Sequence, residues 1–188
     1  MAYLTDAQLK ALGCISMGKN VKISDKASLY NPEQMSFADH ARIDDFTVVS
    51  GRVSLGRNVH IACLCNIAGG TEGIIIDDFA GIAYGSHILT QSDDFTGRFM
   101  TNPTIPAKYT GVTRKAVRIG RHSLVGTNSI IFPGVHLADG TSIGAMSLVT
   151  HSTDPWSVYI GSPARRVKAR KQDLLELEKQ YLANEGAL

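Results

Sequence analysis

Residues 119–150 read IGRHSL VGTNSI IFPGVH LADGTS IGAMSL VT, and an aliphatic residue returns at every sixth position of this stretch. An α-helix repeats every 3.6 residues and a β-strand every two, so neither structure alone produces a period of six. Three such hexads make one triangular coil of a parallel β-solenoid. The aliphatic residue points into the core, and a small residue four positions later lets the chain turn near a corner. The stretch therefore predicts a mainly β fold.

The repeat begins far upstream and comprises eighteen hexads, which predicts about six coils. The aliphatic positions are Met17, Ile23, Leu29, Phe37, Ile43, Val49, Leu55, Ile61, Ile67, Ile76, Ile82, Ile88, Ile119, Val125, Ile131, Leu137, Ile143 and Val149. Two extra residues follow Leu29, three follow Ile67 and twenty-five follow Ile88. The third insertion is too long for a coil, so residues 93–118 are predicted to form an extruded loop.

Both ends of the chain carry helical patterns. Thr5 and Gln8 have capping-box spacing and Gly13 is a stop signal, which predicts a short helix over the open end of the first coil. Residues 172–188 place leucines and Tyr181 at helical spacing, which predicts a helix packed on the solenoid or on another subunit. We expect a single domain, with a helical cap at 1–14, the β-helix at 15–154 and a C-terminal segment and helix at 155–188.

The composition favours neither a nucleic-acid-binding protein nor a membrane protein. The formal net charge is +2, which by itself gives no argument for nucleic-acid binding. The sequence has no apolar run of transmembrane length, and its first residues do not form a signal-peptide pattern. The three cysteines are odd in number and form no disulfide framework, as is typical of a reducing compartment. We therefore expect a cytoplasmic protein without membrane insertion.

Two groups of polar residues admit both a structural and a functional interpretation. Cys63 and Cys65 have the spacing of half a soft metal site, but Cys65 occupies the small position of its hexad, which favours packing. A pair of aspartates follows each of two aliphatic positions, Ile43 and Ile76, where side chains point outward. These four acids, which fit turn chemistry as well as substrate contact, are Asp44, Asp45, Asp77 and Asp78.

The hexads, the extruded loop and the closing segment YIGSPARRV at 159–167 together resemble the hexapeptide-repeat acyltransferases. The resemblance extends over nearly the whole chain. It implies a left-handed parallel β-helix, which is an exception to the right-handed crossover preference of parallel sheets. It also implies a homotrimer whose active sites lie between subunits, with acyl-CoA in the groove that neighbouring copies form.

Several segments are similar to one subgroup of that family. They are TQSDDFTG at 90–97, MTNP at 100–103, IPAKY at 105–109, IGAMSLV at 143–149 and DLLELEK at 173–179. The subgroup acylates the 4-amino group of dTDP-4-amino-4,6-dideoxyglucose for bacterial surface polysaccharide. The resemblance thus implies an N-acetyltransferase that uses acetyl-CoA, takes a nucleotide-linked amino sugar and needs no metal.

The start of the loop departs from the usual family pattern. Sugar and xenobiotic acetyltransferases of this family usually carry a histidine base there, whereas this chain has Asp93 and Asp94. An amine is a better nucleophile than a hydroxyl, so a carboxylate can assist by orienting it without removing its proton efficiently. We expect Asp93 or Asp94 to position the amine, while the departing thiolate takes the final proton. Initiation of the loop turn is the alternative role for both.

The resemblance also assigns positions along the acyl-CoA groove. Thr127 matches the position whose hydroxyl lies near the thioester, and Gly126 and Ala145 leave a flat surface for the pantetheine arm. Arg165 and Arg166 match the nucleotide end of the groove, where guanidinium groups suit phosphates. An ordinary solvent-facing coil residue is the alternative for Thr127. The residues expected to contact the acceptor sugar are Asp78, His87, Ser92, Lys108 and Tyr109.

Three other functions have to be distinguished from this one. An O-acetyltransferase of lipopolysaccharide or capsule would need a stronger base than an aspartate. A non-catalytic solenoid scaffold would leave the aromatic loop and the basic run without a purpose. A γ-class carbonic anhydrase needs three clustered histidines, and its His-x-x-x-x-His spacing does not occur in this sequence.

Overall fold

The computed structural model describes residues 2–185 and shows a mainly β protein with two α-helices, α1 (Asp6–Ala11) and α2 (Leu174–Asn184). Short 3₁₀ turns lie at Pro32–Gln34 and Ala107–Tyr109. The strands are β1 (Ser16–Met17), β2 (Lys22–Ile23), β3 (Ser28–Tyr30), β4 (Met35–Phe37), β5 (Arg42–Ile43), β6 (Val48–Leu55), β7 (His60–Ile61), β8 (Asn66–Ile76), β9 (Gly81–Ile82), β10 (His87–Leu89), β11 (Gln91–Ser92), β12 (Thr113–Arg114), β13 (Val117–Ile119), β14 (Leu124–Val125), β15 (Ile130–Ile131), β16 (His136–Leu137), β17 (Ser142–Ile143), β18 (Leu148–Val149), β19 (Ser157–Ile160) and β20 (Arg165–Ala169).

The strands form a parallel β-solenoid of about seven turns with three flat faces. The first face stacks β2, β5, β7, β9, β14, β17 and β19. The second face stacks β3, the first half of β6, the first half of β8, β10, β15 and β18. The third face stacks β1, β4, the remaining halves of β6 and β8, β13 and β16. We call the edge between the first and second faces the first corner. The second corner joins the second and third faces, and the third corner joins the third and first faces.

The six-residue period is explained by burial. From Ile23 to Val149 every aliphatic position of the repeat except Leu29 is buried, and each buried side chain contributes about 1.5–3 kcal/mol. Most of the small positions are buried as well, and the buried serine and threonine hydroxyl groups donate to carbonyl oxygens at the corners. The Ser86 hydroxyl donates to the carbonyl oxygen of Gly126 at 3.0 Å, so this buried hydroxyl keeps a hydrogen-bond partner. The predicted solenoid is confirmed.

The first face is one rung longer than the repeat predicts. β19 pairs in parallel with β17, which sets Tyr159 beside Ile143. Tyr159 follows Ile143 by sixteen positions instead of eighteen, so the aliphatic period is lost although the backbone continues to stack. The face therefore ends at Ile160 and not at residue 154, and β20 then closes it by antiparallel pairing.

All three insertions in the repeat lie at the second corner. The first forms the 3₁₀ turn after Asn31, and the second forms the glycine-rich bend within β8. The third begins after Leu89 and ends before Val117, so the excursion starts earlier and ends slightly earlier than the predicted loop at 93–118. Its stem is an antiparallel pair of β11 and β12. The Lys115 N–H donates to the carbonyl oxygen of Thr90 at 2.9 Å and closes the base of the loop.

The structure has a helix at each predicted end, and residues 186–188 of the predicted C-terminal helix lie outside the described residues. The Thr5 side chain accepts from the Gln8 N–H, the Gln8 side chain caps Thr5 in return, and Leu9 is buried in the solenoid core. Helix α1 thus covers the end of the first coil. Helix α2 packs along the outside of the third corner. Neither helix has the length and apolar character required to cross a bilayer.

Candidate active site

The third corner is covered by α2. The Phe79 ring stacks on His122 with centroids 5.2 Å apart and meets the edge of Tyr181 at 6.2 Å. Glu178 of α2 contacts both His122, at 2.7 Å, and Arg121. Burial, followed by the charge of Arg121, lowers the pKa of His122, so the imidazole stays neutral to a lower pH than an ordinary histidine does. These contacts fix the terminal helix to the solenoid.

Asp78, which is predicted to contact the acceptor sugar, lies at this covered corner. One carboxylate oxygen accepts from the Arg57 N–H at 2.9 Å, and the other pairs with Arg121 at 3.1 Å. The carboxylate therefore braces two successive rungs beneath α2. The structure does not bring Asp78 near the other candidate residues, because a sequence shows the place of a residue within its hexad but not which corner a helix covers.

The first corner holds the predicted pantetheine residues on successive rungs. The Met146 N–H donates to the carbonyl oxygen of Thr127 at 2.8 Å, so Ala145 and Met146 lie directly next to Thr127. A side chain on Gly126 would come within 2.6 Å of the Ala145 nitrogen, so packing alone already requires glycine there. Thr127 is half-buried and Ala145 is exposed. The three residues form one continuous surface, as the resemblance implies.

The two predicted phosphate-binding arginines lie at the C-terminal end of this same corner. The turn after Ile160 adds the next rung, because the Leu148 N–H donates to Gly161 at 3.0 Å and the Ala164 N–H donates to Leu148 at 2.8 Å. Arg165 and Arg166 follow on β20, and both are exposed. Arg166 donates to Ser157 at 3.0 Å, whereas Arg165 bonds only its neighbouring carbonyl in the described chain. Arg166 also lies 3.8 Å from the Asp154 carboxylate, so Arg165 is the more open of the two to an anionic ligand.

Large apolar side chains are exposed along the first corner, and we call them the apolar ridge. They are Phe46, Leu64, Tyr84 and Met146, with exposed fractions of 59, 61, 57 and 75%. Three of them have positive φ, which non-glycine residues adopt infrequently. Phe46, Leu64 and Tyr84 lie on successive rungs, and the rung of Asn128 separates them from Met146. Exposed apolar residues grouped in this way mark an interaction site more often than an ordinary surface. Sequence reasoning missed the ridge, although residues that tolerate a left-handed turn recur three positions after the aliphatic ones.

The extruded loop borders a cavity of about 570 Å³. Its lining comprises Gln91, Ser92, Asp93, Asn102, Pro103, Ile105, Pro106, Ala107, Thr110, Val112 and Arg114. Lys108 and Tyr109 lie on the adjoining 3₁₀ turn, outside this lining, with the Lys108 ammonium 4.8 Å from the Tyr109 ring. His87 is exposed on β10 of the second face and belongs to neither the cavity nor the ridge. Of the five predicted acceptor-binding residues, only Ser92 lines the cavity.

The two candidate aspartates differ in what occupies their carboxylates. Asp94 accepts from the hydroxyl and N–H of Thr96, at 2.8 and 3.2 Å, and from the N–H groups of Arg98 and Phe99, at 3.0 and 3.3 Å. The Thr96 hydroxyl, with the three backbone N–H groups, holds the pKa of Asp94 below its usual value. Asp94 thus organises the loop turn. The Asp93 carboxylate lines the cavity and has no hydrogen-bond partner within residues 2–185.

The candidate residues fall into two groups at opposite edges of the second face. The pantetheine residues lie at the first corner, whereas the loop with Asp93 leaves from the second. One flat side of a hexad coil spans roughly 15–20 Å at 3.3 Å per residue. A reacting carbonyl must approach its nucleophile to about 3–3.5 Å. One copy of the chain therefore does not bring both groups to the same reacting atom.

The cysteines and acidic residues do not build a metal centre in the described part of the chain. No group of three or more His, Cys, Asp or Glu side chains with metal-site geometry occurs within residues 2–185. Cys65 is buried, its thiol lies 3.2 Å from the carbonyl oxygen of Ala83, and burial raises its pKa. These contacts fit the packing interpretation of Cys65.

The chain is similar to proteins of known activity along almost its full length. It is 39% identical over 184 residues to the dTDP-4-amino-4,6-dideoxy-D-glucose acyltransferase of Escherichia coli, covering 96% of this chain and 95% of that one. It is 42% identical to AntD, an N-acyltransferase from Bacillus cereus, in a complex with dTDP and 3-hydroxybutyryl-CoA. The TM-score is 0.96, and the match covers 98% of each chain. A variant of AntD has been solved with dTDP-4-amino-4,6-dideoxyglucose and coenzyme A, with a TM-score of 0.95 over 97% of this chain and 98% of that one.

A more distant likeness concerns the fold alone. A maltose O-acetyltransferase from Clostridium difficile 630 matches 89% of this chain and 75% of its own, with 21% identity and a TM-score of 0.57. No family model matches the sequence. From its similarity to the Escherichia coli enzyme across nearly the whole chain, this protein belongs to the dTDP-4-amino-4,6-dideoxy-D-glucose acyltransferase family and is an acyltransferase.

Proposed function

We propose that the protein transfers the acetyl group of acetyl-CoA to the 4-amino group of dTDP-4-amino-4,6-dideoxyglucose, for surface polysaccharide. The main support is the AntD complex with that sugar and coenzyme A, which matches this chain at 42% identity over 97% of its length. The cavity beside the loop and the two exposed arginines at the end of the first corner provide separate places for the sugar and the coenzyme. The reducing cytoplasm, which suits three free cysteines, is the proposed compartment.

We also propose a left-handed solenoid that assembles as a homotrimer with its active sites between subunits. The separation of the two groups of candidate residues across the second face supports this assembly. The loop of one copy then meets the first corner of its neighbour, so that Asp93 and Thr127 of different copies face one reacting carbon. The apolar ridge supplies the surface that such a contact buries. Association would remove these side chains from water, which is the usual driving force for a stable interface.

In the proposed reaction the neutral amine attacks the thioester carbonyl, the new C–N bond forms and the C–S bond breaks. Asp93 accepts a hydrogen bond from the amine and so orients the lone pair of the amine nitrogen toward the carbonyl carbon. Backbone N–H groups at the first corner stabilise the oxygen as it becomes negative. The nitrogen loses one proton and the departing thiolate gains one, so the step balances without a strong base. Asp94 holds the loop in the conformation that presents Asp93.

The proposal is tested by release of free CoA thiol from acetyl-CoA. The acceptors compared are dTDP-4-amino-4,6-dideoxyglucose and the same nucleotide sugar with a hydroxyl at C4. Turnover with the amine and none with the hydroxyl is expected. Transfer to the hydroxyl alone would instead make the protein an O-acetyltransferase, the second candidate function.

Paired aspartate variants then separate the two carboxylates. Asp93→Asn should lower kcat by about 100-fold, which is the lower range for a group that assists proton transfer, with KM for acetyl-CoA unchanged. Asp94→Asn keeps the shape of the side chain but weakens its hydrogen bonds to the loop, so it should mainly raise KM for the sugar. If Asp93→Asn keeps full activity, the assignment of Asp93 is wrong.

A further inference from the structure

Arg114 is a cation in the loop cavity that the aspartate-centred mechanism does not use. It lies on β12, directly opposite Gln91 of β11, and its side chain lines the cavity together with Asp93. Within residues 2–185 the guanidinium forms neither an ion pair nor a hydrogen bond with another residue. Other cations near the loop are not placed in this way. Lys108 lies over Tyr109, Arg118 pairs with Asp77, and Arg98 does not line the cavity.

The stem of the loop brings Arg114 and Asp93 to one cavity. Arg114 lies opposite Gln91 in the antiparallel pair, whose register ends at Ser92. Asp93 follows directly after β11, and Asp93 and Arg114 both line the cavity. The cavity thus offers a carboxylate and a guanidinium to one ligand, with no ion pair between them in the described chain.

This pair of charges matches the polarity of the proposed acceptor, so the inference rests on the proposed function. The sugar carries its amine at C4 and its diphosphate at C1, on opposite sides of the pyranose ring. A guanidinium group binds phosphate oxygens through two parallel N–H···O bonds and so fixes orientation as well as position. We propose that Arg114 binds the diphosphate of the nucleotide sugar and thereby sets the 4-amino group against Asp93.

Binding of two nucleotides to the protein tests this assignment. The probes are dTDP and thymidine, which differ only in the diphosphate, and their dissociation constants are measured by calorimetry. Arg114→Met should raise the dissociation constant of dTDP by at least about 10-fold, which is the effect of losing a charged hydrogen-bond partner. The dissociation constant of thymidine should not change. Arg114→Lys, which keeps the charge without the fork, should recover part of the loss. Arg98→Met, on the same loop but outside the cavity lining, is the matched control and should bind dTDP as the wild type does.

Steady-state kinetics provide the second readout. Arg114→Met should raise KM for the nucleotide sugar by about the same factor and leave KM for acetyl-CoA unchanged. The assignment is overturned if Arg114→Met binds dTDP as tightly as the wild type, or if it loses affinity for dTDP and thymidine equally. It is also overturned if the variant raises KM for acetyl-CoA instead of KM for the sugar. A wild-type protein that binds no dTDP would overturn the proposed function itself. A wild type that binds dTDP and transfers acetyl, with an unaffected Arg114→Met variant, would overturn only the role of Arg114.

Discussion

The sequence Asp-Asp-Phe occurs three times, and the copies at residues 44–46 and 77–79, which both lie within the repeat, occupy different corners of the prism. Phe46 and Phe79 both follow an aliphatic core position by three residues, and their φ angles are 59° and 58°. A cation lies over each ring, Lys26 at 5.7 Å and Arg121 at 5.0 Å. Only the surroundings differ. Helix α2 covers Phe79, whereas Phe46 belongs to the exposed apolar ridge.

Of the two apolar corners, the chain covers the third with its own helix and leaves the first exposed. At the third corner the covering element is α2, which supplies Tyr181 and Glu178. At the first corner no described element of the same chain plays that role, and the ridge residues stay exposed. In the proposed trimer a neighbouring copy takes the place that α2 occupies at the third corner. The following predictions test that correspondence, beginning with the largest expected effect.

Met146→Asp should break the proposed assembly. A carboxylate at this most exposed residue of the ridge would be buried without a partner on association, at a cost of about 3 kcal/mol or more. If the active site needs two copies, as proposed, activity should fall at least about 100-fold at the same protein concentration. Analytical ultracentrifugation and the CoA-release assay measure the two effects. Leu177→Asp, at an exposed leucine of α2, is the control and should remain assembled. An active, assembled Met146→Asp protein would contradict the interface assignment.

The two phenylalanines themselves provide a matched pair. Phe79→Ala removes the contacts with His122 and Tyr181, and should lower the free energy of unfolding by about 2 kcal/mol, below the range for fully buried rings. Phe46→Ala should change the unfolding of a dilute monomer by less than about 0.5 kcal/mol, as for an exposed site, but weaken association. Urea denaturation at low concentration and sedimentation at high concentration separate the two outcomes. Equal losses of monomer stability would show that the corners do not differ.

Acidification should loosen the covered corner only slightly. Burial lowers the pKa of His122, so the folded state binds fewer protons than the unfolded state just below the ordinary histidine value. Stability is therefore fully present above that value and is lost as pH falls toward the lowered pKa. This loss should appear in the free energy of unfolding between pH 7.5 and 5.5. His122→Asn, which tolerates the positive φ, should remove this part of the pH dependence in denaturation measurements. An unchanged pH profile in the variant would assign it to other groups.

The sequence was sufficient to predict the core but not the arrangement around it. Ile119, Val125 and Ile131 are all buried, as the six-residue period predicts. The period gives the phase of a residue within a hexad, however, and not the corner that a distant helix covers, so the contacts of Asp78 with Arg57 and Arg121 beside α2 were not foreseen. The extra rung at Tyr159 was not predicted, because the backbone continues to stack there although the aliphatic spacing has changed. The difference between Asp93 and Asp94 depends on hydrogen bonds within the loop, which residue types alone do not show.

The second corner has a consequence for how such a chain acquires a new acceptor. Every insertion occurs there, and the longest is closed at its base by the pairing of β11 with β12 and by the hydrogen bond from Lys115 to Thr90. The rungs on either side keep their parallel register across the gap. The loop that lines the proposed acceptor pocket is therefore joined to the solenoid at two fixed points. Replacing this segment with that of a related enzyme should change which sugar the protein accepts, while the solenoid itself stays the same.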